Sequence, residues 1–294
     1  MKDALIFGVI QGAVYGLLAL GLVLVYKGAR VFNFAQGEFG TIAAYLAWFL
    51  IDRRGVPYPV GAVLAVVAVG LLGFLVERLI VRPLFDAPRV TLLVATTGFA
   101  LAAIQLQLIA TGPNAQRLAP ALSGKGLTFL GVIISPQQIL LFVILAGLGA
   151  FMAYFFSRTD LGLAVLATSQ EPVATELAGI STKRISSFIW TLAAVLGAIA
   201  GVLFAPTTGA FTPAFMTTTV LLPSFTAALV GGVTSLPGAF IGGQIVGITE
   251  KVGQYLNLEF DLGRFIVGVP TLMVFIVLVT ILVVRPRGLL GSEA

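Results

Sequence analysis

The chain has 294 residues, 59% of them hydrophobic and only 10% charged, with a mean hydropathy of +1.07. A soluble domain carries roughly 25% charge, so this chain lacks the polar surface of a water-soluble fold and the polarity of a disordered one. With no cysteine and no histidine, disulfides, thiolate or imidazole chemistry and Cys- or His-ligated metals are excluded, and the net charge of +5 lies in short loops with no basic stripe for nucleic acid.

The expected fold is all-α, a polytopic transmembrane helix bundle forming a single domain over residues 1–294, with no metal and no cofactor. A helix needs about 20 apolar residues to cross a bilayer. Runs of that order lie at Ala4–Tyr26, Gly55–Val76, Val90–Gln116, Gly126–Ser157 and Phe265–Val284. The first begins close to Met1 but is too long for the apolar core of a signal peptide, and Gly37–Ile51 follows as another apolar segment, so it is expected to be a retained first span.

Residues Ile185–Thr249 contain no charge at all over 65 positions. Punctuation divides them: a helix over Ile185–Ala205 stopped by Pro206, a Thr- and Pro-containing loop, and a run from Val220 to Val230. Gly231, Gly232, Ser235, Pro237 and Gly238 then interrupt before Ala239–Tyr255 resumes. Irregular backbone at membrane depth survives only when buried in protein or facing a watery cavity. A broken or re-entrant segment is therefore expected near 220–243, within about eight spans in all, the range being seven to ten.

Charge bias places Glu77–Arg89, Arg158–Arg184 and the tail with Arg285 and Arg287 in the cytoplasm, and Thr111–Gly126 outside. Arg53 and Arg54 then fall outside, against the bias. Small residues recur at four-residue spacing (Gly8, Gly12, Gly16; Ala193, Gly197, Gly201; Gly238, Gly242; Gly243, Gly247). This is the pattern of close helix packing in lipid.

There is no phosphate-binding G-x-x-x-x-G-K-[ST] and no dinucleotide fingerprint. Two polar islands remain. Residues 158–184 read as two short amphipathic helices. Leu161, Ala164, Val165 and Thr168 form an apolar stripe on the first. Glu171-Pro172 starts the second, Ala174, Leu177 and Ala178 stripe it, and Gly179 ends it. Such a pair is either an interfacial connector or a knob that docks in a partner's groove. The other island, Lys27–Glu38, sets Asn33 and Gln36 between apolar runs with Phe34 and Glu38. These are either helix caps or functional polar groups at membrane depth. Gln105 and Gln107 cannot share one helix face, and Thr207, Thr208, Thr212 and Thr217–Thr219 line either an outer vestibule or an external loop.

These islands carry a resemblance. The stretch GAVYGLLALGLVLVYKGARVFNFAQGEFG with Asn33–Glu38, and the loop ERLIVRPLFDAPRVTLLVATTGFAL with Glu77, Arg78, Arg82, Pro83 and Leu84, are similar to LivH-type permeases of branched-chain amino acid ABC transporters. So are GLAVLATSQEPVATELAGISTKR with Ala178-Gly179-Ile180, GGVTSLPGAFIGGQIVGITE with Glu250, and the tail VVRPRGLLG. Gln36 stands where that family commonly has His, and Leu166-Ala167 where it often has Arg.

The resemblance implies a non-catalytic importer subunit in the cytoplasmic (inner) membrane of a prokaryote, with its C-terminus in the cytoplasm. Its implied partners are a second, LivM-like permease, two cytoplasmic ATPase subunits and an extracytoplasmic solute-binding protein, with the lipid bilayer around them. It implies a coupling loop at 159–180, with Glu171, Glu176, Leu177, Ala178, Gly179 and Ile180 meeting the ATPase. Asn33, Phe34, Gln36, Glu38, Gly231, Gly232, Ser235 and Gly238 are the candidates for pathway or gate. Urea, amide and sugar importers of the same superfamily are the nearest alternatives, ahead of a self-sufficient channel or secondary transporter.

Overall fold

The computed structural model describes residues 1–264 and 266–291. It is an all-α bundle, and its only paired strands among the described residues are the short hairpin β1 (Leu127–Phe129) and β2 (Val132–Ile134). The helices are α1 (Lys2–Ala29), α2 (Gln36–Trp48), α3 (Tyr58–Val76), α4 (Arg89–Thr111) and α5 (Pro136–Arg158). Two short helices, α6 (Asp160–Gln170) and α7 (Pro172–Leu177), precede α8 (Thr182–Phe204), α9 (Leu222–Gly231), α10 (Leu236–Glu259) and α11 (Val269–Val284). Among the described residues five helices, α1, α3, α4, α5 and α8, are long and apolar enough to cross a membrane, and α9 with its π-helical turn and α11 are shorter apolar helices. One end carries α6 and α7 and is called here the α6–α7 end. The other carries the hairpin.

Two apolar runs divide differently from expectation. The run Gly126–Ser157 is not one helix: it opens with the hairpin, whose Leu130 (φ 53°) and Gly131 (φ 86°) make the two-residue turn that suits twisted strands. Helix α5 starts only at Pro136, behind a capping box in which Ser135 Oγ accepts from Gln138 N at 3.2 Å. Hydropathy alone hides this boundary because the strands are as apolar as the helix. The last run forms α11 from Val269 onward, and its expected first residue, Phe265, lies outside the described residues.

Helix α1 is the pillar, buried on every side from Gly12 to Val25. By contrast α3 and α4 turn apolar side chains outward, with Val63 61%, Val94 65% and Leu106 66% exposed. Exposed apolar rows of that extent mark surfaces for lipid or for another protein. In lipid there is no hydrophobic drive between helices, so close packing must hold them. The small-residue stripes supply it within the chain: a Cβ on Gly12 would lie 2.8 Å from Gln244 Cα of α10, and one on Gly201 of α8 would overlap the Gly40 carbonyl of α2.

A long helix, a non-helical loop and a short helix occur twice, in opposite directions: α1, residues 30–35 and α2; then α8, residues 208–214 and the helical segment that ends in α9. Both short helices carry a π-helical turn, Phe49–Arg53 at the end of α2 and Thr217–Leu221 at the start of α9. Their N-terminal ends meet inside the bundle, where a Cβ on Gly37 would lie 2.8 Å from Thr217 Cα. The break expected near 220–243 is thus the short α9 and the turn that leads into α10.

Candidate functional site: the two short helices and the faces beside them

The polar island after α1 folds inward. Arg30 ends α1 in the left-handed conformation and donates through Nη2 to Ser169 O of α6 at 2.5 Å. Asn33 Oδ1 accepts from Ala35 N at 2.9 Å, a local side-chain turn that leads into α2. Its Nδ2 donates to Gln36 Oε1 at 3.3 Å. Gln36 Nε2 donates in turn to Ala193 O of α8 at 2.8 Å.

Glu38, in the first turn of α2, is completely buried. Thr217 Oγ1 donates to its Oε1 and Gln107 Nε2 to its Oε2, both at 2.6 Å. Gln107 Oε1 accepts from Ala214 N at 3.3 Å, and Thr41 Oγ1 from Met216 N at 3.3 Å. The carboxylate therefore ties α2, α4 and the loop before α9 together through uncharged donors. Of the two glutamines in α4, Gln107 faces inward to Glu38 and Gln105 is exposed.

Phe34 is the one residue among the motif's named candidates that reaches the outside, 39% exposed and 5.3 Å from the ring of Phe225 on α9. Phe32 meets the same ring edge-on at 5.2 Å and stacks on Tyr26 at 4.8 Å. Above this cluster α9 presents an outward stripe at helical spacing: Thr218 and Thr219, then Leu222 (66% exposed), then Phe225.

Thr218 and Thr219 open into a cavity of about 770 Å³ at the hairpin end, between α1, α5, α8 and α10. Thr207, Thr208 and Thr212 line it too, whereas Thr217 is turned to Glu38. The hydroxyls of Thr207 and Thr208 donate to Phe204 O and Ala205 O, leaving their oxygens able to accept. Sequence reasoning did not find other polar groups of the cavity, among them Asp3 and Gln11 of α1 and Lys251 and Gln254 of α10, because they are far in sequence from the threonines.

Gly231, Gly232, Ser235 and Gly238 form a tight joint at the α6–α7 end. Ser235 Oγ accepts from Gly238 N at 3.1 Å and caps α10. The chain's tail clamps this joint: Leu289 N donates to Val230 O at 2.9 Å and Leu290 N to Gly231 O at 3.0 Å. That places the tail at the same end as α6 and α7. Asp52 of the α2 π-turn accepts from Ala119 N at 3.3 Å, so Arg53 and Arg54 lie at the hairpin end with the Thr111–Gly126 loop.

Residues 159–180 form the expected two helices, with one difference of facing. Thr159 Oγ1 caps α6 by accepting from Gly162 N at 3.1 Å, and Val165 and Thr168 are buried. Leu161, expected on that stripe, is 43% exposed. The face is rotated because Gly162 is the residue that sits against the Phe155–Phe156 backbone, where a Cβ would lie 2.6 Å from Phe156 Cα. Glu171 and Pro172 begin α7, and Gly179 ends it at φ +84°. The carboxylate of Glu176 accepts from Thr182 Oγ1. Val173 and Leu177 are 72% and 86% exposed, and Ala174 and Ala178 are exposed with them, so the apolar stripe of α7 points away from the bundle. Beside it, buried Glu77 is held by Arg82 (Nη2 to Oε2, 3.2 Å) and by Ser187 Oγ at 2.7 Å, which ties the end of α3 to α8.

The chain is similar over nearly its whole length to characterised permeases. It is 30% identical over 302 residues to the high-affinity branched-chain amino acid transport system permease protein BraD of Pseudomonas aeruginosa, covering 98% of this chain and 94% of that one. It is 28% identical to LivH of Escherichia coli, with 97% and 93% covered. With LivM of Escherichia coli it shares 26% identity over 94% of this chain and 68% of that one. Among solved structures, PsaBC from Streptococcus pneumoniae in complex with Fab matches with a TM-score of 0.53 at 15% identity, covering 97% of this chain and 92% of that one, a likeness of fold. The family described as branched-chain amino acid transport system / permease component matches residues 4–284, and this chain, an all-α membrane bundle, belongs to it.

Proposed function

We propose that this chain is a permease subunit of an ABC importer that carries branched-chain or other hydrophobic amino acids across the cytoplasmic membrane of a prokaryote. Its partners in this reading are a second permease of the LivM kind, two ATPase subunits and an extracytoplasmic solute-binding protein. The family and the BraD and LivH relatives support the transport class, and the LivM likeness supports a paired permease.

The observation that carries the coupling is α7. A short helix with Val173 and Leu177 turned outward, anchored by a buried Thr175 and stopped by Gly179, has the shape and chemistry of a knob for an apolar groove. Glu171, Glu176, Leu177, Ala178, Gly179 and Ile180 form the ATPase contact in this reading, which sets the α6–α7 end and the C-terminus in the cytoplasm. The path runs down the α9 stripe from the threonine cavity to Phe34 and Phe225, closed by the second permease. Asn33, Gln36 and Glu38 hold the short helices that line it, and Gly231, Gly232, Ser235 and Gly238 form the pivot below. Glu38 and Glu77 are both engaged by internal donors, which favours a structural use over ion coupling, where free intramembrane acids are expected.

Gly179→Asp tests the coupling. An L-residue at φ +84° costs about 1 kcal/mol, and no neighbour lies within 4 Å of the added Cβ. The bundle should therefore insert and melt as before, while α7 loses its stop and an added charge faces the partner's groove. ATPase binding and transport-linked ATP hydrolysis should both fall. Normal co-purification with the ATPase and normal coupled uptake would sink the docking role of α7.

A further inference from the structure

A lysine borders the cavity at the hairpin end. Lys251 is half-buried on α10 and donates to Gln254 Oε1 at 3.0 Å. Among the described residues it forms no ion pair. The adjacent Glu250 does not serve it, because that side chain turns to α1 and accepts from Tyr15 Oη at 2.5 Å. Lys251 therefore has two of its three protons without an acceptor among the described residues, at the edge of a cavity that also presents threonine oxygens. An ionisable group on a helix of a membrane bundle with no charged partner among the described residues points to a ligand.

We propose that Lys251 receives the carboxylate of a small zwitterion with an apolar side chain as it passes through this cavity, which makes it a substrate-contacting residue of the pathway. The inference rests on the importer reading above and adds to it the group that recognises the charged end. The rest of the lining suits the rest of such a molecule. Asp3, exposed at the start of α1, supplies a carboxylate at the rim for the ammonium group. Phe7, Val14 and Leu141 provide an apolar floor for the side chain. The volume of about 770 Å³ falls within the range of roughly 300–1,000 Å³ usual for small-molecule sites. A site that grips through one ammonium with flexible reach can also release, as a transit site must.

The experiment uses the whole transporter complex in proteoliposomes, with leucine as the probe, and measures uptake and ATP hydrolysis together. Lys251→Met and Lys251→Gln should each lower leucine taken up per ATP by about tenfold, the loss of one charged hydrogen-bonding partner. ATPase stimulation by the loaded binding protein should stay at the wild-type level, and Lys251→Arg should recover most of the uptake. Lys251→Gln keeps the possibility of bonding to Gln254, so a shared loss with Lys251→Met isolates the charge. Unchanged uptake per ATP in both neutral variants would overturn the proposal. Lost ATPase stimulation in both would overturn it too, since Lys251 would then belong to a docking surface. A wild-type complex that takes up no leucine would contradict the importer reading itself, an outcome distinct from either.

Discussion

Replacing Gly201 with leucine is expected to prevent recovery of a folded permease. Its Cβ would overlap the Gly40 carbonyl oxygen and lie 2.7 Å from the Gly40 Cα. The obstructing atoms are backbone, so no rotamer change relieves them and α2 must move away from α8. That movement pulls Gln36 off Ala193 O and strains the donors around Glu38. Overpacking alone costs about 1–3 kcal/mol; lost hydrogen bonds of buried groups add about 1–3 kcal/mol each. Against a total stability of about 5–15 kcal/mol, the sum is large. Gly201→Ala should show a reduced melting temperature in detergent, and Gly201→Leu should not give a monodisperse protein. Gly98→Ala is the control, because nothing lies within 4 Å of its Cβ and it should melt at or slightly above wild type. A Gly201→Leu protein that melts with the wild type would show that α2 and α8 do not meet at this point.

Glu38→Ala should be the most damaging polar substitution in the bundle. It removes the acceptor for both Thr217 Oγ1 and Gln107 Nε2 in a fully buried place, leaving two donors unsatisfied at about 1–3 kcal/mol each. The loop before α9 loses its tie to α2, so transport should fall further than stability does. Glu38→Gln should be much milder. Its oxygen can still accept from Gln107 and its amide can donate to the Thr217 hydroxyl, which accepts as readily as it donates. Uptake and melting temperature measured on both variants separate the two requirements. Equal, severe loss in both would mean that the negative charge matters in itself; wild-type behaviour in Glu38→Ala would remove the latch altogether.

Much of the bundle was legible in the sequence because lipid imposes a simple rule on composition: apolar length makes a span. The helices α1, α3, α4, α8 and α11 followed from uncharged runs, and the α9–α10 turn from Gly231, Gly232, Pro237 and Gly238. The same rule hid the β1–β2 hairpin inside the run that leads to α5, since Leu127, Phe129, Ile133 and Ile134 are as apolar in strands as in helices. The facing of α6 was missed for a different reason. Its buried side is set by the contact of Gly162 with the end of α5, and a residue without a side chain leaves no mark in a hydrophobic pattern.

The polar residues were legible as positions and not as roles. Asn33, Gln36 and Glu38 stood out because amides and acids at membrane depth need partners. Which partners depends on Ala193, Gln107 and Thr217, far away in the chain and joined only by the fold. Lys251 was silent for the same reason. Its significance comes from facing a cavity made by four other segments and from its neighbour Glu250 turning to Tyr15.

The most direct test of the central claim is leucine uptake into proteoliposomes that contain either the whole complex or this chain alone. The importer account predicts accumulation only by the complex, with ATP sealed inside and the loaded binding protein outside, and none by the chain alone under any ion gradient. Accumulation of leucine by the chain alone, driven by a proton or sodium gradient, would contradict it.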